Sequence, residues 1–288
     1  MRDAFGIPAR VNILEFTALV GLASGLAGFL GALTGLGGGV VIVPLLVIAF
    51  GVDIHYAIGA SLVSVIATSS GAAAAYLREG YTNTRAAMLL EVASTAGALS
   101  GAALAARVPA SGLAIAFGGV LLYSARFGGH HDVPFDASAP PDRWAAALRL
   151  DSSYPTPDGP RAYRVQRVPM GFGLMYGAGI LSGLLGIGSG AVKVLALDRA
   201  MRMPFKVSTT TSNFIIGVTA AASAGVYLRR GYLEPGLAMP VVLGVLVGSL
   251  QGARVLATAQ TSRLRLVFTG VIVALGLEMI FNGFGGRL

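Results

Sequence analysis

Two glycine-rich breaks interrupt long apolar stretches of the chain, and their free backbone groups could bind an anion. The first is residues 34–44, TGLGGGVVIVP, and the second is residues 185–194, LGIGSGAVKV. A glycine run at membrane depth leaves amide and carbonyl groups without helical partners, which requires surrounding protein or a water-filled cavity. A short helix that starts at such a break directs free amides and a positive dipole end towards that space, which favours an anion. The amides that we predict to bind substrate belong to Gly37, Gly38, Gly39, Gly188, Ser189 and Gly190.

Glycine also allows two helices to approach closely, which is the alternative explanation for any glycine pattern in a membrane. We expect this packing role for Gly97 and Gly101, and for Gly244, Gly248 and Gly252. For the two breaks we favour a binding site, because the same abrupt glycine cluster occurs twice inside apolar sequence.

Lys193 lies one turn into the short segment after the second break, whereas its counterpart 151 residues earlier is Ile42. An ammonium inside a membrane is costly unless it faces an aqueous cavity or an anion. We therefore predict that Lys193 binds the anion or gates its access. Two alternatives stay open, which are snorkelling of the side chain to the interface and local pairing with Asp198.

Small polar side chains mark the start of the long segment that follows each break. They are residues 208–213, STTTSN, in the second half, and Ser61 and Ser64 in the first. Hydroxyl and amide donors suit a sulfonate or a carboxylate, and the alternative is helix capping with hydrogen bonds between helices. The side chains that we predict to bind substrate are Ser61, Thr211, Ser212 and Asn213.

Glu91 is a carboxylate well inside a long apolar segment, and its counterpart in the second half is Val242. Glu278, in the last segment, is a second intramembrane acid. Acidic residues inside membrane spans are candidates for proton relays. We therefore name Glu91 as the candidate for proton coupling.

The residue inventory excludes several chemistries. The chain has no cysteine, so disulfides, iron–sulfur clusters and thiol catalysis are excluded. The histidines are His55, His130 and His131, and two adjacent histidines rarely supply converging metal ligands. We expect no metal and no cofactor. An intramembrane serine hydrolase with Ser189 as nucleophile is the enzyme alternative, but it would need a base, so we predict that the protein is not an enzyme.

The elements that must position these residues occur twice. At an offset of 151 residues, identical residues recur through both halves, among them the pairs Ser61 and Ser212, and Thr68 and Thr219. The string Tyr-Leu-Arg-x-Gly-Tyr also occurs at this offset, and His55 aligns with Lys206. Self-similarity at a fixed period indicates an internal duplication. We predict two homologous repeats.

The composition indicates that the bilayer is the solvent of most of the chain. The 288 residues are 55% hydrophobic and 12% charged, and the mean hydropathy is +0.74. Several stretches hold the ~20 residues needed to cross ~30 Å of hydrocarbon. The first of them is too long for a signal peptide and belongs to the repeat, so we expect a retained span. The net charge of +8 comes from loops and one central segment without an aromatic-rich basic domain, so we predict no nucleic-acid partner.

Each repeat contains five apolar segments, of which the second is short. The segments are residues 12–34, 40–50, 57–79, 84–107 and 109–126, then 170–185, 191–201, 208–228, 235–257 and 264–282. Each short segment is ~16 Å long as a helix and cannot cross a bilayer alone. We predict an all-α polytopic membrane protein, in which each repeat has about four full transmembrane helices and a half-helix after its break. The repeats are inverted if the short segments cross and parallel if they turn back, and we favour inverted repeats.

The segment between the repeats differs in composition from both of them. Residues 127–169 are rich in proline and aspartate and contain Trp144, the one tryptophan of the chain. We predict an N-terminal transmembrane repeat at 1–126, a hydrophilic cytoplasmic linker at 127–169 and a C-terminal transmembrane repeat at 170–288. A mobile tether is the main expectation for the linker, and an ordered docking segment is the alternative.

Four motifs carry a resemblance to a known family. They are GLGGG at residues 35–39, AIGAS at 57–61, GIGSG at 186–190 and KVSTTTSN at 206–213. Together they resemble the TauE/SafE sulfite exporter family of the toluene sulfonate uptake permease superfamily. The resemblance covers nearly the whole chain outside the central linker. One departure is Ala60, where the family motif has threonine.

The resemblance implies a secondary-active carrier of sulfite, sulfoacetate or related sulfur-containing and organic anions. We predict alternating access at a site where the two breaks meet, in a multi-pass protein of the bacterial inner membrane. Its partners would be the small anion, the lipid bilayer and a proton as candidate coupling ion, with a homodimer as candidate assembly. A passive anion channel is the alternative from another functional class.

Overall fold

The computed structural model describes residues 13–34, 39–78, 80–127, 142–156, 159–256 and 261–285. These residues form eleven α-helices, two short π-helical segments and one two-stranded hairpin. Gly37 and Gly38, two of the predicted substrate ligands, lie outside the described residues. The described part of the first break therefore begins at Gly39.

Five helices of the first half follow the apolar segments. They are α1 (Ile13–Thr34), α2 (Gly39–Pro44), α3 (Ile54–Arg78), α4 (Thr84–Ala105) and α5 (Ala110–Phe127). At Pro44, which has no N–H to donate, the backbone of α2 widens into a π-helical segment, Leu45–Ala49. The start of α4 is capped by Asn83, whose Oδ1 accepts a hydrogen bond from the Ala86 amide at 3.0 Å.

The described part of the central linker contains defined elements in place of the expected tether. Helix α6 (Arg143–Ala147) is followed by antiparallel strands β1 (Ser152–Thr156) and β2 (Gly159–Tyr163). Asp142 caps α6 by accepting from the Trp144 amide at 2.8 Å, and its other oxygen accepts from the Val168 amide at 3.3 Å. These contacts fix the linker to the start of the second half.

The second half repeats the element order of the first. It contains α7 (Val168–Leu185), α8 (Gly190–Leu195) with a π-helical segment (Ala196–Ala200), α9 (Phe205–Arg229), α10 (Pro235–Leu256) and α11 (Thr261–Phe284). The bounds of α2 and α8 lie 151 residues apart, as do those of α3 and α9 and those of α4 and α10. The offset that relates the residues therefore also relates the helix boundaries.

Helix α4 of the first half packs on helices of the second half, and α10 does the reverse. Where α4 lies along α7, a Cβ atom at Gly97 would overlap the carbonyl oxygen of Tyr176. Where α10 lies along α1, a Cβ atom at Gly248 would overlap the carbonyl oxygen of Gly25. Glycine at these positions lets the backbones touch, which is the packing role predicted for them.

This exchange produces two bundles, each with three helices from one half and a fourth from the other. We call α1, α2, α3 and α10 the first bundle, and α4, α7, α8 and α9 the second bundle. Helices α3 and α9 pack against each other where the bundles meet, and α5 packs along α11. The candidate site residues lie along the junction of α3 and α9 and inside the second bundle.

The two central helices, α3 and α9, run antiparallel. Near the start of α3, the ring of His55 stacks on Tyr232, just past the end of α9, with 5.0 Å between ring centroids. Near the start of α9, Lys206 Nζ lies 3.7 Å from the ring centroid of Tyr81, just past the end of α3. Each helix therefore begins where the other ends.

The outer surface and the helix lengths suit a bilayer. Three described helices, α4, α7 and α9, are long and apolar enough to cross a membrane by length and composition. Large apolar side chains point outwards, among them Leu26 and Met88, each 68% exposed. Such a surface would be unstable in water, so the fold is that of a helical, multi-pass membrane protein.

Candidate functional site

The described ends of the two glycine breaks lie against each other, with Ser61 of α3 between them. Ser61 Oγ lies 2.8 Å from the carbonyl oxygen of Gly186 and 3.3 Å from that of Gly39. A Cβ atom at Gly39 would lie 2.9 Å from this hydroxyl oxygen and 2.7 Å from Cγ2 of Val65, so a larger residue there would have to displace both side chains. A side chain of the first half thus joins its own break to the break of the second half.

The second break passes through left-handed backbone before α8 begins. Gly186, Gly188 and Ser189 have φ angles of 69°, 67° and 50°. Glycine adopts this conformation freely, whereas a residue with a Cβ atom pays about 1–2 kcal/mol. Gly188 is also tightly enclosed, since a Cβ atom there would lie 3.0 Å from Cγ2 of Ile216. Ser189 is therefore held in a strained conformation by the packing around it.

The hydroxyl of Ser189 is buried in this strained turn. Ser189 is 3% exposed, and its Oγ has no hydrogen-bond partner among the described residues. Its carbonyl oxygen accepts from the Lys193 amide at 3.0 Å, which closes the first turn of α8. A buried hydroxyl without a partner costs about 1–3 kcal/mol. This side chain is thus suited to an anion that supplies an acceptor oxygen.

Lys193 lies one turn further along α8 and is completely enclosed. Its exposed fraction is 0%, and Nζ donates a hydrogen bond to Thr219 Oγ1 of α9 at 2.8 Å. The side chain does not extend to the surface, so snorkelling does not describe it. A buried ammonium needs a compensating charge nearby.

The compensating charge is Glu91 of α4, which reaches the same hydroxyl. Thr219 Oγ1 lies 3.1 Å from Glu91 Oε1, and this oxygen also accepts from Thr95. Ser94 Oγ lies 3.0 Å from Thr219 Oγ1. We call Glu91, Ser94, Thr95, Lys193 and Thr219 the polar cluster. It links three helices of the second bundle through one threonine hydroxyl.

The polar cluster depends on the crossing of α4 into the second bundle. A Cβ atom at Gly179 of α7 would overlap the carbonyl oxygen of Ser94, so the two backbones touch beside the cluster. A threonine hydroxyl can accept from an ammonium and donate to a carboxylate at the same time. Thr219 therefore bridges Lys193 and Glu91 through one hydrogen bond to each.

Three other predicted residues have different surroundings. Thr211 is 0% exposed, and its Oγ1 accepts a hydrogen bond from the Asn83 amide at 3.1 Å. Ser212 Oγ lies 3.5 Å from the carbonyl oxygen of Gly190, at the limit for a hydrogen bond. Asn213 is partly buried, and its side chain forms no hydrogen bond with the described part of the chain.

Asn83 makes Thr211 part of a junction with the linker. Asn83 Nδ2 donates to the carbonyl oxygen of Leu150 at 2.8 Å and to the hydroxyl of Tyr163 at 2.9 Å. Burial raises the pKa of Tyr163 to about 12, so this phenol stays protonated at neutral pH. The linker hairpin, α4 and α9 are thereby tied together at one end of the second bundle.

The sequence named Lys193 and Glu91 separately and gave no role to Thr219 or Ser94. One signal was available, because Thr219 lies seven residues after Ser212 and so shares its helix face. Ser94 and Thr95 follow Glu91 at spacings of three and four residues, which also places them beside it on a helix. The sequence could not show that α4 packs on α9.

The first turns of α3 and α9 carry His55 and Lys206, which align at the 151-residue offset and have different partners. His55 Nδ1 lies 3.0 Å from Asp53 Oδ1, and this hydrogen bond lowers the pKa of the Asp53 carboxyl. Lys206, the matching position, lies instead over the ring of Tyr81. The first contact is local to the start of α3, whereas the second joins the start of α9 to the residues after α3. They hold the ends of the central helices and do not reach the polar cluster.

No group of three or more acidic or histidine side chains is arranged for a metal ion within the described residues. The donors that surround the breaks and Lys193 are amides, hydroxyls and an ammonium. Such donors suit oxygen atoms of an anion better than a cation.

Comparisons with known proteins are consistent with this chemistry. Residues 20–279 match the family model described as "Sulfite exporter TauE/SafE". "Probable membrane transporter protein YunE" of Bacillus subtilis (strain 168) is 27% identical over 277 residues, which cover 94% of this chain and 99% of the relative. A "Probable membrane transporter protein" of Xylella fastidiosa (strain 9a5c) is 26% identical over 268 residues, which cover 91% of this chain and 94% of the relative. No solved structure gives a significant match.

Proposed function

The chain belongs to the TauE/SafE sulfite exporter family, and from this premise we propose that it is a secondary-active exporter of small sulfur-containing or organic anions. The family and the named relatives establish the coarser statement that it is a membrane transporter. Sulfite, sulfoacetate and other organosulfonates are the substrates proposed. Transport would proceed by alternating access at a site formed by the two glycine breaks.

One observation carries the proposal, namely the fully buried ammonium of Lys193 beside the second break. A protonated lysine has three N–H donors, and Thr219 Oγ1 accepts one of them at 2.8 Å. The other two donors can bind oxygens of a sulfonate, sulfite or carboxylate. A positive charge at this depth selects anions over neutral solutes, because the low-dielectric surroundings magnify its attraction.

Donors from both halves of the chain would complete the site. Ser189 offers a buried hydroxyl, and Ser61 offers one that now bonds to the carbonyl oxygen of Gly186 at 2.8 Å. Thr211 accepts a bond from Asn83 and keeps its own proton to donate. The remaining proposed ligands are the amides of Gly37, Gly38, Gly39, Gly188 and Gly190, and the side chains of Ser212 and Asn213.

The conformation described here is closed around the proposed site. Ser61, Ser189, Lys193 and Ser212 are each at most 3% exposed. An anion could therefore reach Lys193 only if the bundles moved apart on one side or the other. This is what alternating access requires of an occluded state.

Helix directions support inverted repeats. Helices α3 and α9 occupy matching places in the two halves and run antiparallel. Helices α5 and α11 also match and run antiparallel, because a Cβ atom at Gly118 would overlap the carbonyl oxygen of Gly276, while one at Gly283 would lie 2.9 Å from that of Ser111. Matching helices of parallel repeats would run in the same direction. We infer that α2 and α8, with their π-helical continuations, each return the chain across the membrane.

Transport by the purified protein in liposomes tests the proposed function. Vesicles are loaded with radiolabelled sulfite or sulfoacetate, with taurine and acetate as comparison solutes. We expect saturable efflux that accelerates when unlabelled substrate is present on the opposite side. Large voltage-driven currents without this acceleration would identify a passive channel instead. Folded protein that gives no saturable flux of any of these anions would contradict the carrier.

The role of Lys193 is tested by Lys193→Met, with Ile42→Met at the matching position as control. Removing the ammonium should raise the half-saturating anion concentration at least about tenfold, equivalent to about 1.4 kcal/mol of binding free energy. The control changes one buried apolar side chain for another and should leave the concentration within about twofold of wild type. Equal effects of the two substitutions would show that Lys193 does not bind the anion.

A further inference from the structure

Glu91 and an incoming anion compete for the same lysine, and we propose that each bound anion loads one proton onto Glu91. Anion and proton would then cross the membrane together. This inference rests on the proposed function, because it takes Lys193 as the anion ligand. To the proposed function it adds the proton as the coupling ion, Glu91 as the residue that carries the proton, and the reason why anion and proton move together.

In the conformation described here, the charge of Lys193 is balanced inside the protein. Thr219 Oγ1 accepts from Lys193 Nζ at 2.8 Å and lies 3.1 Å from Glu91 Oε1. Lys193 is 0% exposed, and Glu91 is partly buried with its Oε2 atom enclosed, so water screens the pair only weakly. One positive and one negative charge thus share a site between α4, α8 and α9.

Few other charges surround this pair. Helix α7 carries no charged residue, and α9 carries Lys206 and Arg229 only at its two ends. Arg85, at the start of α4, donates to the carbonyl oxygen of Arg149 at 3.1 Å. The π-helical segment after α8 carries Asp198 and Arg199, which have interactions of their own.

The tyrosines of the neighbouring helices are also engaged elsewhere. Tyr176 of α7 lies 3.3 Å from the hydroxyl of Ser100, and Tyr227 of α9 donates to the carbonyl oxygen of Gly183 at 3.2 Å. Among the described residues, Glu91 is therefore the acid that balances Lys193, through the hydroxyl of Thr219.

A substrate anion at Lys193 would place a second negative charge in the same site. The site would then hold one positive and two negative charges, and an uncompensated charge in such surroundings costs several kcal/mol, on the order of the buried-ion penalty. Protonation of Glu91 removes one negative charge and restores the balance. Glu91 Oε2 is buried and has no hydrogen-bond partner among the described residues, so the proton can reside on this oxygen.

The hydroxyl of Thr219 can follow this change without movement of any helix. Its single proton has two acceptors within reach, Glu91 Oε1 at 3.1 Å and the carbonyl oxygen of Ile215 at 2.9 Å. When Glu91 is ionised, the proton points to the carboxylate. When Glu91 is protonated, the hydroxyl turns to Ile215, while Ser94 stays at 3.0 Å as a further partner. Thr219 thus has one hydrogen-bonding arrangement for each state of Glu91.

Proton and anion movements by the full-length protein in liposomes test this inference. The probe is methanesulfonate, which carries a single charge and takes up no proton near neutral pH, so that any proton moved is carried by the protein. A pH-sensitive dye inside the vesicles reports protons, and labelled methanesulfonate reports the anion. We expect about one proton per anion, and a pH gradient alone should drive accumulation of the anion.

Glu91→Gln is the decisive variant, with Glu278→Gln, at an exposed acid on α11, as control. The ratio of protons to anions should fall at least about tenfold in Glu91→Gln and stay at the wild-type value in the control. Glu91→Asp keeps an ionisable group and should keep a measurable ratio, which covers the case in which the glutamine variant does not fold. An unchanged ratio in Glu91→Gln would overturn the inference.

The outcome also separates this inference from the proposed function. Net transport of methanesulfonate by the wild-type protein without proton movement would overturn the coupling and leave the carrier intact. Absence of any anion counterflow, including that of sulfite and sulfoacetate, would overturn the carrier itself and the coupling with it.

Discussion

The second bundle contains charges at the place where the first bundle contains only apolar groups and a threonine. Counterparts of Lys193, Glu91 and Ser94 at the 151-residue offset are Ile42, Val242 and Val245. Ile42 and Val245 are each 0% exposed, like Lys193. The two places are therefore equally buried and differ in chemistry.

Each bundle has a threonine at this place, but the two threonines form different hydrogen bonds. Thr219 connects Lys193 with Glu91, whereas Thr68 Oγ1, within the described part of the chain, bonds only to its own helix, 3.0 Å from the carbonyl oxygen of Ser64 and 3.2 Å from that of Val65. The surrounding scaffold is alike in both bundles, including the close glycine contacts of the exchanged helix. A few side-chain differences on one scaffold are thus enough to make one bundle the candidate for substrate and proton chemistry.

Placing the charge in the wrong bundle should have the largest effect. Ile42→Lys would bury an ammonium where position 242 offers no carboxylate, so we expect a loss of roughly 5 kcal/mol in the free energy of unfolding. Adding Val242→Glu should recover part of this loss, because Thr68 is already in place to bridge the pair. Thermal unfolding of detergent-purified variants measures both changes. If Ile42→Lys alone were as stable as wild type, charge compensation would not distinguish the bundles.

Removing one member of the Lys193 and Glu91 pair should lower the free energy of unfolding by nearly as much. Lys193→Met or Glu91→Gln alone leaves a buried charge without its partner and should cost about 3–5 kcal/mol. The double variant should cost less than the sum of the two, with a coupling of about 0.5–3 kcal/mol. The same unfolding measurement applies, with Ile42→Val and Val242→Ala as the matched pair in the first bundle. Additive effects of Lys193→Met and Glu91→Gln would mean that Thr219 does not couple the two charges.

Removing the threonine hydroxyl should lower the free energy of unfolding more in the second bundle than in the first, but by less than the charge changes do. Thr219→Val deletes a hydrogen bond to a charged group and should cost about 1.5–3 kcal/mol. Thr68→Val deletes only a bond to its own helix backbone and should cost about 1 kcal/mol or less. Urea or thermal unfolding of the two variants gives the comparison. Equal costs would argue that Thr219 is only a packing residue.

The smallest difference between the two halves should be in how stability depends on pH at the starts of α3 and α9. The pKa of Asp53 is lowered from its usual 3.8 by the hydrogen bond from His55, so its contribution to stability is complete above that value and is lost as the pH falls through the lower folded pKa. Because the carboxylate is half exposed, the contribution is about 0–1 kcal/mol. Asp53→Asn should therefore differ from wild type at neutral pH and converge with it in acid. The Lys206 contact with Tyr81 should show no such acid dependence, and a Lys206→Met variant serves as the comparison.

Much of the helix plan could be predicted from the sequence, because a membrane imposes a length on each apolar segment. The segment predicted at 84–107 is helix Thr84–Ala105, and the short segments predicted at 40–50 and 191–201 occupy residues 39–49 and 190–200. The packing role of Gly97 was also predictable, since small residues at four-residue spacing favour close helix contact.

The polar cluster could not be predicted as a unit. Lys193 and Glu91 stand 102 positions apart in the sequence and belong to different halves of the chain. They meet because α4 packs against α7 and α9, and that choice depends on contacts between surfaces which no local pattern encodes. The linker elements were not the main expectation for a related reason, since β1 is held by pairing with β2 and Asn83 bonds to Tyr163 of β2, contacts that the composition of the linker does not encode.

The exchange of α4 and α10 between the halves also sets an order of assembly during synthesis. Helix α4 ends at Ala105, but α7, whose glycine face it contacts, begins only at Val168. Helix α1 ends at Thr34 and cannot pack on α10 until that helix, which begins at Pro235, has been synthesised. The second bundle can form once α9 has been synthesised, but the first bundle cannot be completed until α10 follows it. Helix α1 therefore spends most of the synthesis of this chain without its native neighbour α10.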